Sequence, residues 1–145
     1  MSTSSTALSF EAVHVGQQLP ELRRTVTKEQ IERYAKASGD HNPIHLDQTF
    51  ARAAGLPSVI AHGLLTLSFA GQLVTDWLGD RARLRRLDAR FAEMVLPGDE
   101  VRCSGTVSQK DEENRRVIVT LSAENQRGEK VLTKGIAEAD FPQGA

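Results

Sequence analysis

Residues 61–80 read AHGLLTLSFAGQLVTDWLGD, a run apolar on nearly every face of a helix up to Gly79. A surface helix shows one apolar stripe, so a helix of this kind has to be wrapped by protein on most sides. The residues after Asp80 supply the wrapping. LRRLDARFAEMVLPGDEVRCSGTVSQ (84–109), RRVIVTLSAENQ (115–126) and EKVLTKGIAEADF (129–141) are strand-like, with Val117, Val119, Leu121 and Ala123 alternating cleanly. DEEN (111–114) and NQRG (125–128) suit hairpin turns, and the break in alternation near Gly135 predicts a bulge or a close backbone contact. One very apolar helix beside about five antiparallel strands predicts an α+β architecture with the sheet curled around the helix. Such a sheet leaves an edge and an open face, which self-association as a homodimer would protect.

Upstream of the helix, VGQQLPELRRTV reads as a turn and a strand leading to Thr27, which with Gln30 has capping-box spacing. Ile31, Tyr34, Ala35 and Ser38 fall on one face of the next helix, and Gly39 suits a left-handed cap. There the segment SGDHNPIHLD (38–47) begins, crowding two Asp, two His, one Asn and one Pro together. Pro43 disfavours helix at Asn42, so residues 40–46 are expected to run extended and irregular. Asp47 then caps a short helix through QTFARAA.

In an extended run bent once, Asp40 and His45 can converge on a common point. A carboxylate accepts hydrogen bonds and an imidazole gives or takes a proton near neutrality, so a water between them could be oriented and deprotonated. The bland alternative is an Asx-turn with a solvent-facing histidine. Asn42 could brace the turn. His62 and Gly63 stand where the buried helix starts, and free N–H groups and the helix dipole there favour negative charge. Glycine would either let a ligand carbonyl approach the backbone, an oxyanion hole in outline, or serve helix entry alone. Asp40, His41, His45, Asp47 and His62 would suffice as metal ligands. No HxH or HExxH spacing occurs, however, and neighbours in an extended run point to opposite sides, so no metal is expected.

Composition sets the outer limits. The 145 residues carry a formal net charge of -1, with 39% hydrophobic and 26% charged side chains, as in a soluble single domain of residues 8–143 behind a disordered Ser/Thr-rich start at 1–7. That charge provides no field to gather nucleic acid or an anionic membrane. The start has no basic n-region, and the longest apolar stretch is broken by His62, Gln72 and Asp76, which predicts a cytoplasmic protein. Cys103 is the single cysteine, which excludes an internal disulfide, and its alternating context predicts a buried strand thiol. The basic run RARLRR (81–86) reads as a solvated strand edge or as a contact for phosphates or an acidic carrier protein.

YAKASGDHNPIHLD (34–47), then IAHGLLTLSFAG (60–71), then FAEMVLPGDEV (91–101) closely resemble the MaoC-like dehydratases, which include R-specific enoyl-CoA hydratases and (3R)-hydroxyacyl-ACP dehydratase subunits. The resemblance spans nearly the whole chain and implies a hot-dog fold, usually paired as a dimer. It places a catalytic aspartate on Asp40, a catalytic histidine on His45 and an oxyanion-binding amide on Gly63. Asn42, His62 and Ser68 would bind or orient substrate. Some R-hydratases carry a serine where this chain has Gly71, with Ser68 nearly one turn earlier. The reaction implied is reversible hydration of trans-2-enoyl thioesters to (3R)-3-hydroxyacyl thioesters, on coenzyme A or acyl-carrier protein, with no bound cofactor. A thioesterase lacks this block. The alternative is an acyl-thioester-binding subunit of a heterodimeric dehydratase, its site completed by a partner.

Overall fold

The computed structural model describes residues 8–144; the segment read as disordered, residues 1–7, lies outside the described residues. Strand β1 (Leu22–Thr25) leads into helices α1 (Lys28–Ser38), α2 (Pro43–Leu46), α3 (Gln48–Ala53) and α4 (Gly63–Leu78), then strands β2 (Arg83–Phe91), β3 (Glu100–Asp111), β4 (Arg116–Glu124) and β5 (Lys130–Asp140). The strands form one antiparallel sheet in the order β1-β3-β4-β5-β2. α4 touches all five of them. This is the α+β hot-dog arrangement. Four strands are long and β1 has only four residues.

The core lies between α4 and the concave face of the sheet. Leu65, Phe69, Ala70, Leu73, Val74 and Leu78 pack against Val101, Val107, Val119, Leu121 and Ala137, all buried. The wrapping is one-sided. Leu64, Ser68 and Gln72 succeed each other along an exposed flank of α4, and Leu64 is 60% exposed. Next to that flank runs β2, an edge strand bonded only to β5. α4 is therefore open on one side of this chain, where Leu64 is the apolar residue exposed among polar neighbours. Cys103 is buried in β3, and burial pushes its thiol up to about 11, as suits an inert strand residue.

Local signals explain the connections. Thr27 accepts from the Gln30 amide, but Gln30 Oε1 is buried with no partner among the described residues, so only half of the expected capping box forms there. Gly39 ends α1 at φ 79°, a left-handed conformation that turns the chain sharply toward Asp40. Gly135 sits where the sequence pattern broke: an added Cβ would stand 2.6 Å from the Leu121 carbonyl oxygen, beside a register shift between β4 and β5. Backbone cannot yield there cheaply, so Gly135→Ala is expected to cost about 2–3 kcal/mol, read as a lowered urea midpoint.

Between β2 and β3, Asp99 locks the turn that brings the strands back toward the site. Its carboxylate, 4% exposed as a residue, accepts from the Leu96 amide, Gln126 Nε2 and both Arg127 guanidinium ends. Burial alone would raise this carboxyl, but the hydrogen bonds from Arg127, Leu96 and Gln126 outweigh it and hold the group below its ordinary value. A carboxyl lowered in the folded state stabilises above its unfolded value, and that contribution fades as pH falls through the folded one. Asp99→Asn is thus expected to lose roughly 1–3 kcal/mol near pH 7. The gap to the native protein should narrow below about pH 4, measured by denaturation at both pH values.

Candidate active site

Three segments meet at the N-terminus of α4. The first is α2, where the structure departs from the extended run expected for 40–46. Asn42 stays non-helical, as a residue before proline should, but Pro43 then opens a helical turn at the position where its missing N–H costs nothing. The Asn42 side chain caps that turn by accepting from the Ile44 amide. His45 consequently projects from a helix, 8% exposed. Convergence with Asp40 comes from the turn at Gly39 and this short helix, not from a single bend in extended chain.

The second segment, residues 58–62, runs alongside. Ile60 N–H donates to the Ile44 carbonyl, Ala61 N–H donates to Val95, and His45 Nδ1 lies 2.7 Å from the Ile60 carbonyl oxygen. A carbonyl only accepts, so Nδ1 carries the proton and the neutral ring presents a lone pair at Nε2. The third is the helix start. His62 caps α4 without any side-chain bond to it; its Nε2–H donates to the Asp40 carbonyl at 3.0 Å. His62 is 2% exposed and stacks on His45 with ring centroids 3.8 Å apart, while Tyr34 packs on it at 4.8 Å. Its Nδ1 is buried with no partner among the described residues.

The structure brings Asp40, His45, His62 and Gly63 together. One carboxylate oxygen of Asp40 and one nitrogen from each histidine all lie within 4.8 Å of one another. Two hydrogen bonds of about 2.8 Å meeting at a tetrahedral angle put their outer atoms about 4.5 Å apart, a separation that lies within this 4.8 Å limit. The same trio could be read as metal ligands. The two imidazoles are stacked 22° from parallel, and His45 Nδ1 and His62 Nε2 already meet the Ile60 and Asp40 carbonyls, which leaves one nitrogen of each ring for another partner. His41 is exposed, and Asp47 caps α3 through the Phe50 amide.

Gly63 and Leu64 head α4, and their amides find no acceptor among the described residues, since the bonds to the His62 carbonyl come from Leu65 and Thr66. Beside them opens a cavity of about 300 Å³, lined by His45, Ile60, Ala61, Gly63, Thr66, Phe91, Met94, Val95 and Val131 among others. Its floor is apolar and buried, and its rim carries Phe91 and Met94, 55% and 40% exposed. Ser68 is absent from this lining; it is exposed on the open flank and its hydroxyl donates to the Leu65 carbonyl. Thr66 takes the inward position instead. It was detectable as a polar residue one turn past Gly63, whereas the Ile60 carbonyl and Phe91 left no such signal.

The profile described as MaoC like domain matches residues 9–127. The fatty acid synthase beta subunit pkiC of Emericella nidulans is 37% identical over 121 residues, which is 79% of this chain but 6% of that protein. Among solved structures, the R-hydratase PhaJ1 from Pseudomonas aeruginosa superposes with TM-score 0.83 at 28% identity, covering 92% of this chain and 84% of that one. A chain of the ChsH1-ChsH2 complex from Mycobacterium tuberculosis gives 0.80 at 26% identity, over 89% and 98%. No helix among the described residues is long and apolar enough to cross a membrane.

Proposed function

The chain belongs to the MaoC-like domain family, and from that premise we propose that it is a hydro-lyase adding water reversibly to trans-2-enoyl thioesters to give (3R)-3-hydroxyacyl thioesters. The observation that carries this reading is the common point shared by Asp40 and His45 next to the unpaired Gly63 amide. Asp40 accepts one hydrogen of a water, and His45 Nε2 takes the other as a proton. The water oxygen bonds to C3, the C2–C3 π pair shifts toward the carbonyl, and the thioester oxygen takes up negative charge. Gly63 N–H meets that charge with the helix N-terminus behind it. A proton from the dyad then returns to C2, so the enzyme ends as it began.

No resident cofactor takes part in this scheme, because the thioester supplies the activation, whether carried on coenzyme A or on acyl-carrier protein. The 3R outcome is supported by the likeness to the R-hydratase PhaJ1. The open flank of α4 and the β2 edge favour a homodimer. The likeness to a chain of the ChsH1-ChsH2 complex favours a second reading, a subunit completed by a different partner. A native mass of twice the chain, with full activity from the purified chain alone, separates the first from the second. The reaction itself is tested by supplying (3R)- and (3S)-3-hydroxybutyryl-CoA separately. Enoyl absorbance should grow from the 3R substrate only; growth from 3S, or from neither when the active oligomer is present, would contradict the assignment.

A further inference from the structure

Phe91 closes β2 opposite Leu132 of β5, yet its ring stays outside the buried core, 55% exposed. The ring lies against the first residue of α4: a methyl group at position 63 would stand 3.1 Å from each of Cδ2, Cε2 and Cζ of Phe91. That is tighter than ordinary contact, so a side chain at position 63 would push the ring from its place by a few tenths of an ångström. The amide of the same glycine has no acceptor among the described residues, and both residues line the 300 Å³ cavity beside His45. A ring packed beside the Gly63 backbone takes up space that water would otherwise fill next to this N–H, and less competing water strengthens the N–H toward a developing oxyanion.

We propose that Phe91 is a positioning residue, a roof packed beside Gly63 that shields the thioester oxygen from water. The glycine then serves the seating of this ring, beyond any close approach by substrate. The proposal rests on the hydro-lyase reading above, and its thermodynamic signature is coupling between positions 63 and 91.

The test is a double-mutant cycle of Gly63→Ala and Phe91→Ala in the full chain, with crotonyl-CoA as substrate and circular dichroism on each variant. Phe91→Ala should lower kcat about tenfold with a smaller change in KM, because the lost shielding acts on charge present mainly in the transition state. Gly63→Ala should cost roughly 30–100-fold in the native background, the scale of a disturbed oxyanion donor, but no more than about threefold further once Phe91 is alanine. Equal costs of Gly63→Ala in both backgrounds would overturn the roof and leave the hydration reading standing. An inactive wild type would overturn both. Should Gly63→Ala misfold, Phe91→Leu, which restores apolar cover at an exposed position, decides alone. Leucine within about threefold of native, with alanine well below, supports the roof, and alanine as active as native overturns it.

Discussion

His45→Ala lowers kcat for enoyl-thioester hydration by roughly 10²–10⁴, equivalent to about 3–5 kcal/mol of barrier. The size of the loss reflects how the ring is held. The Ile60 carbonyl, 2.7 Å from Nδ1, fixes the tautomer that leaves Nε2 as the base, and the stacked His62 ring fixes its plane. Alanine also removes a ring from a site 8% exposed, so a modest fall in melting temperature should accompany the kinetic loss. Steady-state assays on crotonyl-CoA, run well below that temperature, separate the two effects. Native-like turnover would remove His45 from the reaction.

Asp40→Asn should lose kcat on a similar scale while leaving the fold almost untouched. The side chain is exposed, and among the described residues its Oδ1 accepts a local bond, from the Asn42 amide at 3.2 Å. An amide oxygen can make that bond equally well, so circular dichroism and melting temperature should match the native protein. What disappears is the negative charge that orients the water and balances the imidazolium formed at His45. Because the variant is nearly isosteric, its kinetics report on charge more cleanly than those of His45→Ala. Full activity would mean that the water is held elsewhere.

The fold was legible because its signals are local and repetitive. The apolar run of α4, the alternation of Val117, Val119 and Leu121 in β4 and the turn chemistry at Asn125–Gly128 all point the same way. Pro43 misled, since the same residue that bars helix at Asn42 is well suited to start one. The even hydrophobicity of α4 hid an exposed flank, for periodicity cannot distinguish a side covered by the chain's own sheet from one left open. At the site, Asp40, His45 and Gly63 drew notice by residue type and spacing, their roles were implied by the family resemblance, and the structure sets them side by side. The Ile60 carbonyl had no such mark: every residue has one, and only its approach to His45 gives it a role. Phe91 is equally silent in sequence, being 28 positions from the glycine it covers. The unpartnered Nδ1 of His62 likewise emerges only from burial.

Hydration of crotonyl-CoA by the purified native chain and by Asp40→Asn, monitored through the loss of enoyl absorbance at matched oligomeric state, tests the central claim most directly. The account predicts rapid loss with the native chain, a 3R product, and a rate roughly 10²–10⁴ lower with a fully folded Asp40→Asn. Equal rates from the two proteins would contradict a water held between Asp40 and His45.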